Sequence, residues 1–251
     1  MPQIEELINI SNEAGSAILN FYQDKIVVEQ KDDDSPLTKA DLAAHYVIVN
    51  ALKKLTPETP IISEESGIPD YEERKSWTRY WLVDPLDGTK EFIKKNGEFT
   101  VNIALIEGNK PVLGVVHVPA KNITYVGQKS LGSIKIDQDK KKSRIFSSVP
   151  VKNQQVTIVS SRSHGSSDTE ERVEEMGFKV GKSVPAGSSL KFCLVAEGLA
   201  DIYPRFGPTM EWDTAAGDAV FRYSGKDEVR ISPLEYNKES MKNGEFIIGH
   251  Q

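Results

Sequence analysis

Cysteine is nearly missing from this chain: Cys193 is the only one among 251 residues. No disulfide can form within it, which favours a reducing, cytoplasmic setting. Long apolar runs are missing too. None reaches the ~18 residues that a membrane-spanning helix needs, and the acidic, amphipathic N-terminus (MPQIEELINISNEAG) does not read as a signal peptide. The expectation is a cytoplasmic protein without a transmembrane segment, with peripheral attachment to the cytoplasmic face of the inner membrane left open. Positive charge is in deficit, with 31 Lys and Arg against 37 Asp and Glu and a net charge of −6. A grip on a nucleic-acid polymer needs a basic field, and this balance argues against one. A small phosphorylated partner is a different case, because bound cations supply positive charge locally. Repeats and heptads are absent as well, so a structural or interaction module has little support. Nothing in the sequence sets an oligomeric state.

What is present is an ordinary globular composition, 38% hydrophobic and 27% charged, enough for one large domain or two small ones. Apolar positions Ile4, Leu7, Ile8, Ala14, Ile18, Leu19 and Tyr22 predict a helix over residues 3–22. A polar stretch broken by Pro36 precedes a second amphipathic helix, 40–55, closed by Pro57. Short β-rich runs follow: TPIIS before Glu64 and RYWLVD ending at Asp84. Residues 98–107 and 111–118, joined by Gly108, Asn109 and Lys110, predict a hairpin. Beyond residue 150 the pattern changes to alternation: strand VTIVS, helix 168–176, strand FKVGKSV, helix GSSLKFCLVAEG, strand ADIYPRF, helix WDTAAGDAVFRYSG and strand EFIIGH. This predicts an α+β lobe over 1–150 and an α/β lobe over 151–251.

The most informative stretch is WLVDPLDGT, with Asp84 and Asp87 three residues apart at a strand-to-turn junction. Pro85 fixes its φ, and Gly88 allows a backbone closed to other residues. Such a turn aims two carboxylates and the Leu86 carbonyl at one point, and hard divalent cations want oxygen ligands of this kind. D-P-x-D-G is equally a turn of solvated acids. Glu64 and Glu65 follow the apolar strand PIIS, where an exposed acidic loop is the simpler reading. Asp213 opens WDTAAGDAV, where an N-cap is the simpler reading. None of these simpler readings explains three acid-bearing element ends in one chain, each beside an apolar element that would hold it in place. Thr38 and Asp41 form a T-x-x-D pattern of capping type before the second helix. Cys193 lies in an apolar helical run and reads as core.

In this order, SEE at 63–65, DPLDGT at 84–89 and WDTAAG at 212–217 resemble the three motifs of the inositol monophosphatase and fructose-1,6-bisphosphatase superfamily of lithium-sensitive, magnesium-dependent phosphatases. Within it, SPLTKAD, YWLVDPLDGTKEFIKKNGEFTVNIAL, SSRSH, GSSLKFCLVAEG and YPRFGPT resemble the 3′(2′),5′-bisphosphate nucleotidases of the CysQ type. The resemblance implies a layered α/β/α/β/α sandwich in two lobes. It implies a hydrolase of sulfur metabolism that removes the 3′-phosphate of adenosine 3′,5′-bisphosphate (PAP), giving AMP and phosphate, by water activated at the metal site. Action on the sulfated relative PAPS, giving APS, belongs to the same expectation.

The resemblance also implies roles. Glu64, Asp84 and the Leu86 carbonyl would hold one Mg2+. Asp84, Asp87 and Asp213 would hold a second, and Glu65 would support a third ion or act behind the others. Asp41 would pair with the Thr89 hydroxyl to orient the attacking water, with Glu64 in the same catalytic set. Gly88 and Thr89 would offer N–H groups to the scissile phosphate, in a substrate site that also takes in Glu64, Leu86, Asp87 and Asp213. For the nucleotide, the candidates are His164 for the base, Ser188, Ser189 and Lys191 at a predicted helix start for phosphate, and Arg205 for the second phosphate. Each has a plainer reading: a surface histidine, a helix cap, a surface arginine. The rival functions are an inositol monophosphatase or sugar bisphosphatase of the same superfamily, and a non-catalytic divalent-cation or phosphate-binding protein. The last is disfavoured by the absence of a contiguous D-x-D-x-D-G loop.

Overall fold

Two strands of this chain carry nearly unbroken apolar runs, YWLV and VNIALI, and such runs belong in a sheet covered on both faces. The structure, a computed structural model, describes residues 4–22, 28–30, 36–161, 167–226 and 229–249, with backbone alone at 28–30, 36–38, 167 and 168. The first part comprises α1 (Ile4–Tyr22), β1 (Val28–Gln30), β2 (Pro36–Thr38), α2 (Lys39–Leu55) and β3 (Ile61–Ser63). A 3₁₀ turn at Glu64–Ser66 leads to α3 (Tyr71–Arg74), β4 (Arg79–Asp87) and α4 (Thr89–Ile93). A meander follows: β5 (Thr100–Glu107), β6 (Lys110–Val118), β7 (Ile123–Gln128), β8 (Gly132–Ile136) and β9 (Lys142–Arg144). Strands β3 to β9 form one seven-stranded sheet in sequence order, antiparallel apart from the parallel pair β3 and β4.

The period of two sorts the side chains of this sheet between two cores. Trp81, Val83, Val101, Ile103 and Leu105 join the buried faces of α1 and α2. Tyr80, Leu82, Ala104 and Ile106 turn the other way, towards the helices of the chain's later part.

That later part comprises β10 (Gln155–Ser161), α5 (Ser167–Glu175), β11 (Lys179–Ala186), α6 (Leu190–Ala196), β12 (Tyr203–Arg205), β13 (Thr209–Met210), α7 (Glu211–Arg222), β14 (Lys242–Asn243) and β15 (Phe246–Ile248). Strands β10 and β11 are parallel, joined through α5, and Val173 of α5 packs with Val156 and Ile158 of β10. Helices α6 and α7 lie between the two sheets, so the layers run α/β/α/β/α. The sheet changes near residue 150, yet one buried cluster contains Tyr80 and Val116 together with Cys193, Val195 and Phe221. Helix α7 sits close on the large sheet because two strand glycines leave room for its backbone. A Cβ on Gly114 would lie 2.5 Å from the Ala216 carbonyl oxygen, and one on Gly127 would lie 2.4 Å from that of Ala219. The N-terminus of α7 is held by buried Glu211, which accepts from Lys238 Nζ at 2.7 Å and Asn237 N at 2.8 Å. No helix of the described residues is long and apolar enough to cross a membrane.

Three sequence expectations shift in detail. The hairpin turn is Gly108–Asn109 alone, with Lys110 already paired to Glu107. The strand expected at ADIYPRF shortens to β12. The helix expected from residue 187 begins at Leu190, because Ser188 has φ +50, a left-handed backbone that interrupts a helix.

Candidate active site

In a regular strand, residues three apart face opposite sides of the sheet. Asp84 and Asp87 do not, because β4 carries a bulge between them. Asp84 pairs with Asn102 and Asp87 with Thr100, so three steps on β4 match two on β5. Leu86 consequently turns into the α1/α2 core, and both carboxylates take the other face. Pro85 suits a bulge because it has no N–H to leave unpaired, and Leu86 N–H donates to Asp84 Oδ1 at 3.1 Å. The chain then reverses at Gly88, whose φ of +92 favours glycine. A Cβ there would also come within 2.2 Å of Ser188 Oγ. Thr89 is the first residue of α4.

Five acids from four places on the chain meet electrostatically here. Asp84 is buried, and its carboxyl is pushed well above the usual range, first by burial and then by Glu64, Asp87, Asp213 and Asp41. Burial, with Asp87 next, lifts Asp213 to about 8, against the pull of the Met210 N–H. Burial lifts Asp87 to about 6, while Lys191 and the Ser189 N–H pull it down. Glu64 begins the 3₁₀ turn after β3, and buried Asp41 is the third residue of α2. Asp213 is the third residue of α7, not its cap, and its Oδ2 accepts from Met210 N at 2.8 Å. Glu65 sits beside Glu64 and acts on His45, whose Nδ1 lies 2.8 Å from Ser63 Oγ. Among the described residues, no three His, Cys, Asp or Glu side chains stand close enough to form a metal-ligating group by themselves. The fit to a divalent cation rests instead on the donors: oxygen ligands of one charge gathered about buried Asp84, whose proton affinity they raise, are the chemistry that hard cations relieve.

The second wall comes from residues 187–191 and β12. Asp87, Gly88, Ser188, Ser189, Lys191, Arg205 and Asp213 line one cleft, with Tyr203 and Phe192 supplying its aromatic surface. Lys191 is buried; burial draws its ammonium down to about 8, opposed by Asp87, and it lies 5.7 Å over the Tyr203 ring. Arg205 is held over its own loop, donating from Nε to Gly207 O at 3.2 Å and from Nη2 to Pro208 O at 3.1 Å. The serines are engaged with protein. Ser188 Oγ lies 2.8 Å from Asp87 O and 2.7 Å from Glu98 O, so its one hydroxyl proton is shared between these two carbonyls and does not cap α6. Ser189 N–H donates to Asp87 Oδ2 at 2.6 Å, and Gly187 N–H to Glu98 Oε2 at 2.9 Å. His164 lies outside the described residues. Ser161, of the SSRSH run, lines the cleft, and so do Lys90, Glu91, Thr209 and Thr214, which sequence reasoning missed. Their signal was adjacency alone: Lys90 and Glu91 follow DPLDGT directly, and Thr214 follows Asp213.

A sheet flanked by helices, a bulged D-P-x-D-G, and an acid at the start of α7 opposite a cationic wall together define a class. The profile of the inositol monophosphatase family matches residues 2–232, and the chain belongs to that family. Members of the family are generally metal-dependent. The chain is 45% identical over 250 residues to the 3′(2′),5′-bisphosphate nucleotidase CysQ of Escherichia coli K12, covering 98% of each protein. It is 48% identical over 250 residues to the CysQ nucleotidase of Salmonella typhimurium, again covering 98% of each. The crystal structure of CysQ from Bacteroides thetaiotaomicron superposes with a TM-score of 0.79 at 39% identity, covering 98% of this chain and 97% of that one. An inositol monophosphatase from Zymomonas mobilis, at 24% identity and a TM-score of 0.73 over 98% of this chain and 93% of that one, shares the fold.

Proposed function

We propose that this protein hydrolyses the 3′-phosphate of adenosine 3′,5′-bisphosphate to AMP and phosphate, with Mg2+ as its cation, two or three per site. The reading is carried by one observation: Asp87 and Asp213, two of the four acids that act on buried Asp84, line one cleft with the cations Lys191 and Arg205. A site for a phosphomonoester alone would need only the acidic side. Two cations on the opposite wall suit a substrate with a second phosphate, and the names of the CysQ relatives supply the nucleotide. PAPS, with its 3′-phosphate in the same place, is a second substrate on this reading.

Glu64, Asp84, Asp87, Asp213 and the Leu86 carbonyl would hold the ions, with Glu65 behind them. When bound, divalent cations supply Lewis acidity and neutralise charge on the phosphoryl group. The chain's own residues do the rest. Asp41, paired with the Thr89 hydroxyl, would orient the attacking water and take its proton, which is general-base work. Gly88 and Thr89 offer N–H groups to the phosphoryl oxygens where charge develops. Lys191 and Arg205 bind the 5′-phosphate. Positioning and electrostatics suffice for phosphoryl transfer, and no covalent phosphoenzyme is formed.

The test is phosphate release from adenosine 3′,5′-bisphosphate, PAPS and inositol 1-phosphate with Mg2+ and with EDTA. Adenosine 3′,5′-bisphosphate should be turned over far faster than inositol 1-phosphate, and only with the metal. The reverse ranking overturns the substrate, and turnover in EDTA overturns the metal.

A further inference from the structure

Strand β5 breaks its apolar run at two places. Thr100 and Asn102 are polar, yet 0% and 1% exposed. The register sets them opposite Asp87 and Asp84, at the two ends of the bulge, and nothing in the proposed chemistry uses either.

Their hydrogen bonds have a direction. Ser189 Oγ, also buried, donates to Asn102 Oδ1 at 2.7 Å. An amide oxygen only accepts, so the single Ser189 hydroxyl proton is committed there. The Thr100 hydroxyl, 2.9 Å from Ser189 Oγ, is therefore the donor to it. With its oxygen engaged, Asn102 turns its amino group to Asp87, and Nδ2 lies 3.4 Å from Oδ2. The Ser189 backbone N–H reaches the same Oδ2 at 2.6 Å. Both donors fall on one oxygen of Asp87, which leaves Oδ1 as the oxygen available to the cleft.

We infer that Thr100, Ser189 and Asn102 are positioning residues that set which Asp87 oxygen is presented to a divalent cation. The inference rests on the reading of Asp87 as a metal ligand. Groups that orient a ligand in this way typically change metal affinity or activity about 10- to 100-fold when removed. The relay also ties the two walls together, since Ser189 is two residues from Lys191.

The test uses the full chain, with the magnesium-induced rise in Tm titrated without substrate and kcat and KM measured beside it. Asn102→Leu and Ser189→Ala should each raise the magnesium midpoint about tenfold or more, with kcat falling more than KM rises. Thr100→Val should move the midpoint the same way, and Thr100→Ser, which restores the donor, should return it to within about twofold of the parent. Should Asn102→Leu fail to fold, Ser189→Ala decides, since it removes one atom and keeps the N–H. Folded Ser189→Ala and Thr100→Val proteins with the parent's midpoint overturn the inference. A parent chain whose Tm does not respond to magnesium overturns the metal reading itself, and the positioning role with it.

Discussion

Asp84 sits where burial and four neighbouring carboxylates all oppose a charge on it. Asp84→Asn keeps the shape and removes that opposition. Phosphatase activity should fall at least ~10²–10³-fold, as when one electrostatic stabiliser of a transition state is lost. The Tm in EDTA should rise, by about 2–4 °C for each kcal/mol of repulsion relieved in a chain of this size. Phosphate release and a thermal melt in EDTA check the two halves, and an active Asp84→Asn protein would refute its assignment as a ligand. The acids were legible because each sits where an apolar element stops, a position readable along one chain. Asn102 and Thr100 were not, because their place opposite Asp84 and Asp87 depends on strand register and on a bulge that shifts it. The left-handed backbone of Ser188 was hidden for another reason. A left-handed backbone is usually announced by glycine or asparagine, and a serine before an apolar run reads as a helix start.

At the scale of elements, the sequence pattern gave α1, α2, α7 and the β5–β6 hairpin to within a few residues, since each has a face to bury, and gave no bounds for β7 to β9. The short strands β12 to β15 were less legible, because two or three residues contain no period. One contact between α1 and β6 has a thermodynamic signature. The His117 ring packs against Gly15, where a Cβ would lie 2.7 Å from it, and its Nδ1 lies 2.9 Å from Thr124 Oγ1. Burial, with Lys140 adding to it, lowers its pKa from 6.5 to about 4. The unfolded chain therefore binds a proton that the folded chain refuses, so stability is complete above pH 6.5 and declines as pH falls towards 4. The loss amounts to about 3 kcal/mol for this one group. A His117→Gln chain should lose less stability between pH 7.5 and 4.5 than the parent. Parallel denaturation profiles across that range would show that His117 is not responsible.

For the whole molecule, the placing of α6 and α7 between two sheets means that neither half of the chain closes the middle core alone. Cys193 stands in the middle of α6, buried within the cluster that joins residues from both halves, and burial raises its thiol well above the usual range. As the chain's single sulfhydryl, it is a natural clock for opening: a chromogenic thiol reagent can react only in molecules whose middle layer has parted. Labelling should be slow in the native protein. Saturating magnesium at a hundredfold above its Kd should slow it further, by up to ~100-fold where opening also releases the ion. Labelling as fast as that of a free thiol would show that the middle layer is not closed.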